Sequence, residues 1–334
     1  MFRVSHARSR RIVQEINVKL FYYKDPIGNF GDDLNPYIWY NLAPELFDDD
    51  DETVLVGIGT LINNRAPERP NKIVFGSGVG YHQFPDIGKK WHFCCVRGPR
   101  SAQRLGLDSS YVATDPANLL TEVVGKSQVK RVDSVCFMPH HASARFADWK
   151  DLCAKAGIVY IDPATDIHES LHTIRRSRLV IAEAMHAAIV ADTFRTPWVP
   201  VVCYDHILDL KWRDWCESLM IDYDPVRIPS IWDMERFKDR ATVFKSRLKR
   251  GLKDIGIWSN HWTPPVPRTN RESAEAGVVA ALIDIASRHG GVLSSDANYR
   301  AGQERVWEKL VELRQNHGQS AAAYSIASRQ GVAI

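Results

Sequence analysis

The chain has 334 residues, 45% of them hydrophobic and 25% charged. That supports the cores of two domains of ordinary size. A formal net charge of +3 gives no reason to expect a nucleic acid as partner. The six cysteines, Cys94, Cys95, Cys136, Cys153, Cys203 and Cys216, form no CxxC pair. No zinc site, other metal site or disulfide framework is therefore expected. Several cysteines lie in apolar runs, as buried free thiols of a reducing cytosol do.

The N-terminal FRVSHARSRRIVQEI is basic but lacks the apolar core of a signal peptide. No stretch has the length of a membrane span, so the expected location is the cytoplasm. Two basic stretches, Arg8 to Arg11 and Lys245 to Lys253, are candidates for peripheral contact with an anionic membrane surface, and would serve equally as solvated surface.

In chain order, Val18 to Lys24 reads as the first strand. Gly28 and Gly31 bracket Asn29 and Phe30 in a turn, and Asp32 or Asp33 is expected to cap a helix from about Leu34 to Leu42. This is neither a GxGxxG nor a Walker pattern. Val54 to Gly57 and Ile73 to Phe75 read as buried parallel strands. Each ends in a glycine loop, one carrying Thr60 and the other Ser77. Such loops are tight turns, or they line a shared cleft with backbone amides. His92 to Val96 is a fourth strand, with Arg97 at its end and Arg100 on the following helix, a plausible anion clamp. Asp115-Pro116 marks the end of a fifth. These elements predict one Rossmann-like domain over 1–125.

The polar segment Gly125 to Val132 reads as a linker to a second Rossmann-like domain over 126–230. Its strands are Val135 to Met138, the GIVYIDP segment, Leu179 to Ala182 and Val199 to Tyr204. Helices are expected over Phe146–Ala156, Ile167–Arg176, Ala184–Thr193 and Lys211–Leu219. His140 lies in the loop after the first strand and Glu183 ends the third. His186 stands near the start of a helix at a strand end, where α/β sheets take their ligands and free helical N–H groups favour an anion. Lys211 opens a helix, an unfavourable place for a cation unless an anion is near. Trp212, Trp215, Cys216 and Leu219 repeat at helical spacing and should face the core. The region 231–334 reads as helical: Ile231–Gly251, Thr269–Arg288 and Glu304–Leu313, with part packing back across the domains. The fold class expected is thus α/β, two Rossmann-like domains facing a cleft.

The candidate set of His186, Arg97, Arg100, Lys211 and the turns at Asp32, Thr60 and Ser77 suits an anionic small molecule. Its cations would hold carboxylate and phosphate oxygens, and His186 would move a proton near neutral pH. There is no carboxylate pair for glycoside hydrolysis, no GxSxG elbow and no acidic magnesium set.

NFGDDLNPYIW, GIGTLIN, VFGSGVG, VRGPRSAQRLG, ATDPANLL and EAMHAAIVADTFRTPWVPV, followed by Tyr204-Asp205 and KWRDW, together resemble the polysaccharide pyruvyl transferase family. Within it, the chain is most similar to the bacterial ketal pyruvyl transferases of exopolysaccharide assembly, of the xanthan and succinoglycan type. The resemblance implies a glycosyltransferase-B-like fold, phosphoenolpyruvate as donor substrate, no cofactor, and a sugar diol as acceptor, expected to be part of a lipid-linked oligosaccharide. It implies His186 as general acid, Arg97 as a donor-binding arginine, Lys211 as the downstream basic residue and Asp32 in a substrate-binding turn. Asn29, Thr60, Ser77, Arg100, His140 and Glu183 complete the expected substrate-binding set. This chain departs from the family's pattern at Ala184, where an arginine is frequent, and at Gly98, where an acidic residue is frequent. Two alternatives stay open. One is a glycosyltransferase of the same fold using a nucleotide sugar, with Glu183 as its ribose ligand. The other is a non-catalytic carbohydrate-binding protein with stacking aromatics.

Overall fold

A computed structural model describes residues 18–48, 51–125, 129–233 and 271–316, with isolated positions between 244 and 257. Arg8 to Arg11, most of the Ile231–Gly251 and Lys245–Lys253 stretches, and Trp258, His261 and Trp262 lie outside the described residues.

The chain is α/β and builds two wholly parallel sheets. The first contains β1 (Lys19–Phe21), β2 (Thr53–Val56), β3 (Asn71–Phe75) and β4 (Trp91–Cys95), in the order β1-β2-β3-β4. The second contains β5 (Val135–Met138), β6 (Val159–Tyr160), β7 (Leu179–Ala182), β8 (Trp198–Val202) and β9 (Val226–Arg227), in the order β6-β5-β7-β8-β9. Side chains alternate across a strand, and here alternate residues enter different cores. Leu55, Ile73, Cys136, Met138, Val180 and Ala182 face one large cluster shared by both sheets. Val54, Val56 and Val74 face a cluster behind the first sheet, and Val135, Phe137, Leu179 and Ile181 one behind the second. Strands buried on both faces have to be apolar throughout, which is how these segments read.

Nine helices cover the sheets among the described residues: α1 (Phe30–Leu42), α2 (Pro99–Leu105), α3 (Leu120–Val124), α4 (Trp149–Lys155), α5 (Ile167–Arg176), α6 (Met185–Thr193), α7 (Asp209–Ser218), α8 (Arg271–Arg288) and α9 (Asp296–Asn316). None is long and apolar enough to cross a membrane. Trp212, Trp215, Cys216 and Leu219 are all fully buried. Helix α8 packs Val278, Leu282 and Ile285 behind the second sheet. Helix α9 lies against the first half of the chain. Arg305 donates to the carbonyls of Ala113 at 3.1 Å and Ser218 at 2.9 Å, and Gln303 donates to Thr121 Oγ1 at 2.8 Å.

Three elements differ from the sequence reading. The fifth strand of the first sheet is reduced to a single bridge, Val96 to Val112. Asp108 and Asp115 each cap a turn of 3-10 helix on either side of it, and the chain between them is too short to pair further. Helix α1 begins at Phe30 rather than Leu34. Asn29 is its cap, accepting the Gly31 N–H at 3.3 Å while its own N–H donates to Asp33 Oδ2 at 3.1 Å. Asp32 and Asp33 therefore occupy the first turn, where the helix dipole favours them. Strand β9, two residues long, was not expected.

The halves are locked together where α2 meets α7. Asp214 of α7 accepts Arg97 Nε at 3.2 Å, the Ser101 N–H at 2.8 Å and Ser101 Oγ at 2.6 Å, and the pair is completely buried. A Cβ on Gly98 would overlap the Asp214 backbone, so glycine is required there. Beside it, Arg100 forks onto Glu217 at the surface. Removing one partner of a buried pair strands the other charge, whereas exposed pairs contribute little. Asp214→Ala should cost about 3–5 kcal/mol in urea unfolding, and Glu217→Ala less than about 1 kcal/mol. Equal losses would contradict this division of roles.

Candidate active site

The carboxyl ends of both sheets open onto one cavity of about 850 Å³. In the second sheet the connections leave β5 and β7 toward opposite edges, so the crevice between them is a topological switch point. The loop after β5 brings His140 and His141 there, and the loop after β7 brings Ala184 and His186. From the first sheet come the segment after β1, with Asn29 and Asp32, and the glycine loop after β2, with Thr60. Lys211, from the first turn of α7, joins the same wall.

His186 is the second residue of α6, a helix that begins at Ala184 without a side-chain cap. A Cβ on Gly31 would overlap the imidazole at Nδ1, so the ring lies directly on the first turn of α1. Its other edge points down at Asp115, with Nε2 to Oδ2 at 3.5 Å. Lys211 is buried, lies 5.1 Å from the centroid of the Tyr81 ring, and forms no salt bridge among the described residues. Asp32 accepts a hydrogen bond from Asn29 Nδ2 at 2.5 Å. Burial pushes its carboxyl up to about 7, against the opposing pull of Lys211. The histidines on the facing side, His140 and His141 in the lining and His206 packed against His140, move the other way. Burial, then the charge of Lys211, lowers His141 to about 4 and His206 to about 3. Burial and the neighbouring His141 hold His140 well below its usual range. At neutral pH these three imidazoles are polar but uncharged.

Of the expected residues, the cavity brings together His186, Lys211, Asp32, Asn29, Thr60 and His140. It does not bring Arg97, Arg100, Ser77 or Glu183 to its surface. Arg97 lies beneath the floor, where its Nη1 donates to Gly59 O at 3.2 Å and Thr60 Oγ1 at 3.3 Å. Arg100 is paired with Glu217 outside. Ser77 straps the two glycine loops, accepting the Leu61 N–H at 3.1 Å and donating to Gly59 O at 3.2 Å. Glu183 is fully buried and accepts the N–H groups of His140 at 3.0 Å and Cys203 at 2.9 Å. It ties three strand ends together and is not free to take a ribose.

The sequence reading did not single out other residues of the site. Arg145 reaches across the cavity to Asp25 at 3.2 Å, joining the loops after β5 and β1. Arg65 lies over Tyr23, 4.7 Å from its centroid, with Nη1 3.1 Å from His82 Nε2. These pairs are remote in sequence and carry no local signal. Asp115 is the exception: its Asp-Pro step marked a strand end, but nothing local linked it to His186.

The ends of two parallel sheets, His186 at the switch point and Lys211 thus line one cavity. Residues 10–206 match the model of a family described as polysaccharide pyruvyl transferase. The chain is also 37% identical over 316 residues to the succinoglycan biosynthesis protein ExoV of Rhizobium meliloti (strain 1021), an alignment covering 90% of this chain and 100% of that protein. The chain belongs to the polysaccharide pyruvyl transferase family, whose reaction moves a pyruvyl group from phosphoenolpyruvate to a polysaccharide sugar. No solved structure matches it.

The raised value of Asp32 has a consequence for stability. The folded chain keeps that proton up to about pH 7, while an unfolded aspartate releases it near pH 4. Folding therefore takes up a proton between these values, and stability falls as pH rises across them. Asp32→Asn removes the dependence. The variant should gain about 4 kcal/mol over the parent at pH 8 and less than about 1 kcal/mol at pH 4. An identical difference at both pH values in urea titrations would rule the assignment out.

Proposed function

We propose that this enzyme forms a pyruvate ketal on one sugar of an exopolysaccharide repeat unit, using phosphoenolpyruvate and releasing phosphate. The observation that carries this reading is the convergence of His186 and Lys211 on one cavity, with the uncapped start of α6 beside them. Lys211 and the first turn of α6 hold the carboxylate and phosphate oxygens. His186 delivers a proton to the methylene carbon, which makes the adjacent C2 cation-like. A sugar hydroxyl attacks C2, phosphate leaves, and a second hydroxyl of the same sugar closes the ketal. Of the two hydroxyl protons lost, one ends on the new methyl group and one on phosphate. Preorganised charge at such a centre commonly supplies the largest part of the rate enhancement.

Arg97 acts in this reading from below, holding the Gly59–Thr60 loop that forms the cavity floor. Asn29, Asp32, Thr60 and the neutral His140 supply polar contacts to the substrates. Arg100, Ser77 and Glu183 contribute by holding the surrounding loops and helices. The two halves correspond to a glycosyltransferase-B-like pair of Rossmann-like domains, divided near residues 125 and 230, with the last helix crossing back to the first. The volume beyond the donor takes the acceptor sugar, with Tyr22, Tyr81 and Phe146 among its walls.

Phosphate release from phosphoenolpyruvate, measured with a membrane extract carrying oligosaccharide lipids, tests the reaction; the glycan should gain the mass of one pyruvate ketal. His186→Ala should lose at least about 100-fold in kcat with its circular dichroism unchanged. Lys211→Ala should mainly raise the KM for phosphoenolpyruvate, by about tenfold or more. Near-normal turnover by the histidine variant would sink the mechanism. The lipid-linked acceptor and a peripheral position at the inner membrane face predict co-sedimentation with vesicles containing an anionic lipid at low salt, lost as salt rises. No binding to such vesicles at low salt would count against that location.

A further inference from the structure

Asp115 is completely buried, and its two oxygens differ. Oδ1 accepts the Ala117 N–H at 3.0 Å and caps the 3-10 turn Pro116–Leu119. Among the described residues Oδ2 takes no hydrogen bond. The atom facing it at 3.5 Å, His186 Nε2, is also buried and also has no hydrogen-bond partner among them. An isolated buried polar atom costs about 1–3 kcal/mol, so two complementary ones left facing each other call for an explanation. Their placement is over-determined. Helix α6 packs on the turn that Asp115 caps, and Thr193 Oγ1 near its end donates to Asn118 Oδ1 at 3.1 Å. The opposite edge of the ring, Nδ1, lies against Gly31 at the start of α1, where there is no room for a Cβ and where both residues line the cavity. The imidazole is thus gripped from two sides, with one nitrogen aimed at a carboxylate and the other at the residue that opens onto the cavity.

We propose that Asp115 is a positioning residue for His186: it takes the Nε2–H, fixes the ring's orientation and tautomer, and leaves Nδ1 as the nitrogen that exchanges a proton with the substrate. The inference rests on the reading of His186 as the proton-transfer group. Separations of this kind commonly tighten when substrate closes the site. A carboxylate holding an imidazole in one tautomer acts without touching the reacting atoms.

Asp115→Asn separates this role from a structural one. The Ala117 N–H still needs an acceptor, so the amide oxygen stays there and the NH₂ faces His186. Nε2 then has to accept, and the proton moves to Nδ1. In ¹⁵N-histidine-labelled protein, the His186 resonances are identified by their absence from the His186→Ala spectrum. They should report the Nε2–H tautomer in the parent and the Nδ1–H tautomer in Asp115→Asn. The kcat of Asp115→Asn should fall about 100-fold or more, its pH optimum should move toward acid, and the KM for phosphoenolpyruvate should stay within about twofold. A parent in the Nδ1–H tautomer, or an Asp115→Asn enzyme with the parent's kcat and pH profile, would overturn the proposal. The parent spectrum needs no variant of Asp115, so a poorly folding substitution does not spare the idea. The expected tautomers in a protein inert toward phosphoenolpyruvate would instead keep the pairing and refute the reaction.

Discussion

One buried carboxylate holds the molecule in register. Asp214, on a helix of the second half, receives the guanidinium of Arg97 and both donors of Ser101 from the first. Helix α2 starts at a glycine with no capping side chain, so Asp214 supplies its cap from across the interface. Arg97 passes the constraint on through Nη1 to Gly59 and Thr60. A single side chain therefore fixes the helix, the arginine and the cavity floor together. Replacing such a pair with apolar groups of equal volume can preserve stability. It would not preserve the position of a loop held by directional bonds.

The location of the cavity follows from the same economy of parallel sheets. Each sheet is covered on both faces, so irregular chain with polar groups can collect only at the strand ends. The first sheet runs in sequential order and offers loops without a crevice. The second reverses direction between β5 and β7 and offers a crevice. Fixing the halves so that these ends meet places Asn29, Asp32 and Thr60 opposite His140 and His186. Gly31 then lets α1 approach close enough to press on the imidazole.

Much of this was legible in the sequence. Continuous apolar runs announced the parallel strands, and the expected helix Ile167–Arg176 matches α5, which Asp166 caps and arginines close. His186 and Lys211 were singled out because each sits at a helix start, where its chemistry has a local meaning, and both line the cavity. Arg97 and Glu183 misled as to position because a charge at a strand end looks the same whether it meets solvent or a buried partner. Asp214 went unnoticed, and Asp115 was read only as a strand end, for the converse reason. Their partners lie 117 and 71 positions away in sequence, and a single sequence carries no trace of such a pairing. The start of α1 was misplaced because two aspartates outweighed the asparagine ahead of them, although all three are good caps.

The charge state of the cavity makes its chemistry selective. Three histidines close to Lys211 could have shared its positive field, and burial together with that same lysine keeps them neutral. A neutral wall neither competes for the donor's anionic oxygens nor offers protons to the wrong atom. In the proposed reaction the field is concentrated at Lys211 and the start of α6, and His186 is the group that carries the proton. Protonation of the enol creates a centre that water would also attack. The acceptor hydroxyl is then favoured by position rather than by reactivity, which is the condition that transfer to a sugar, instead of hydrolysis, imposes on the site.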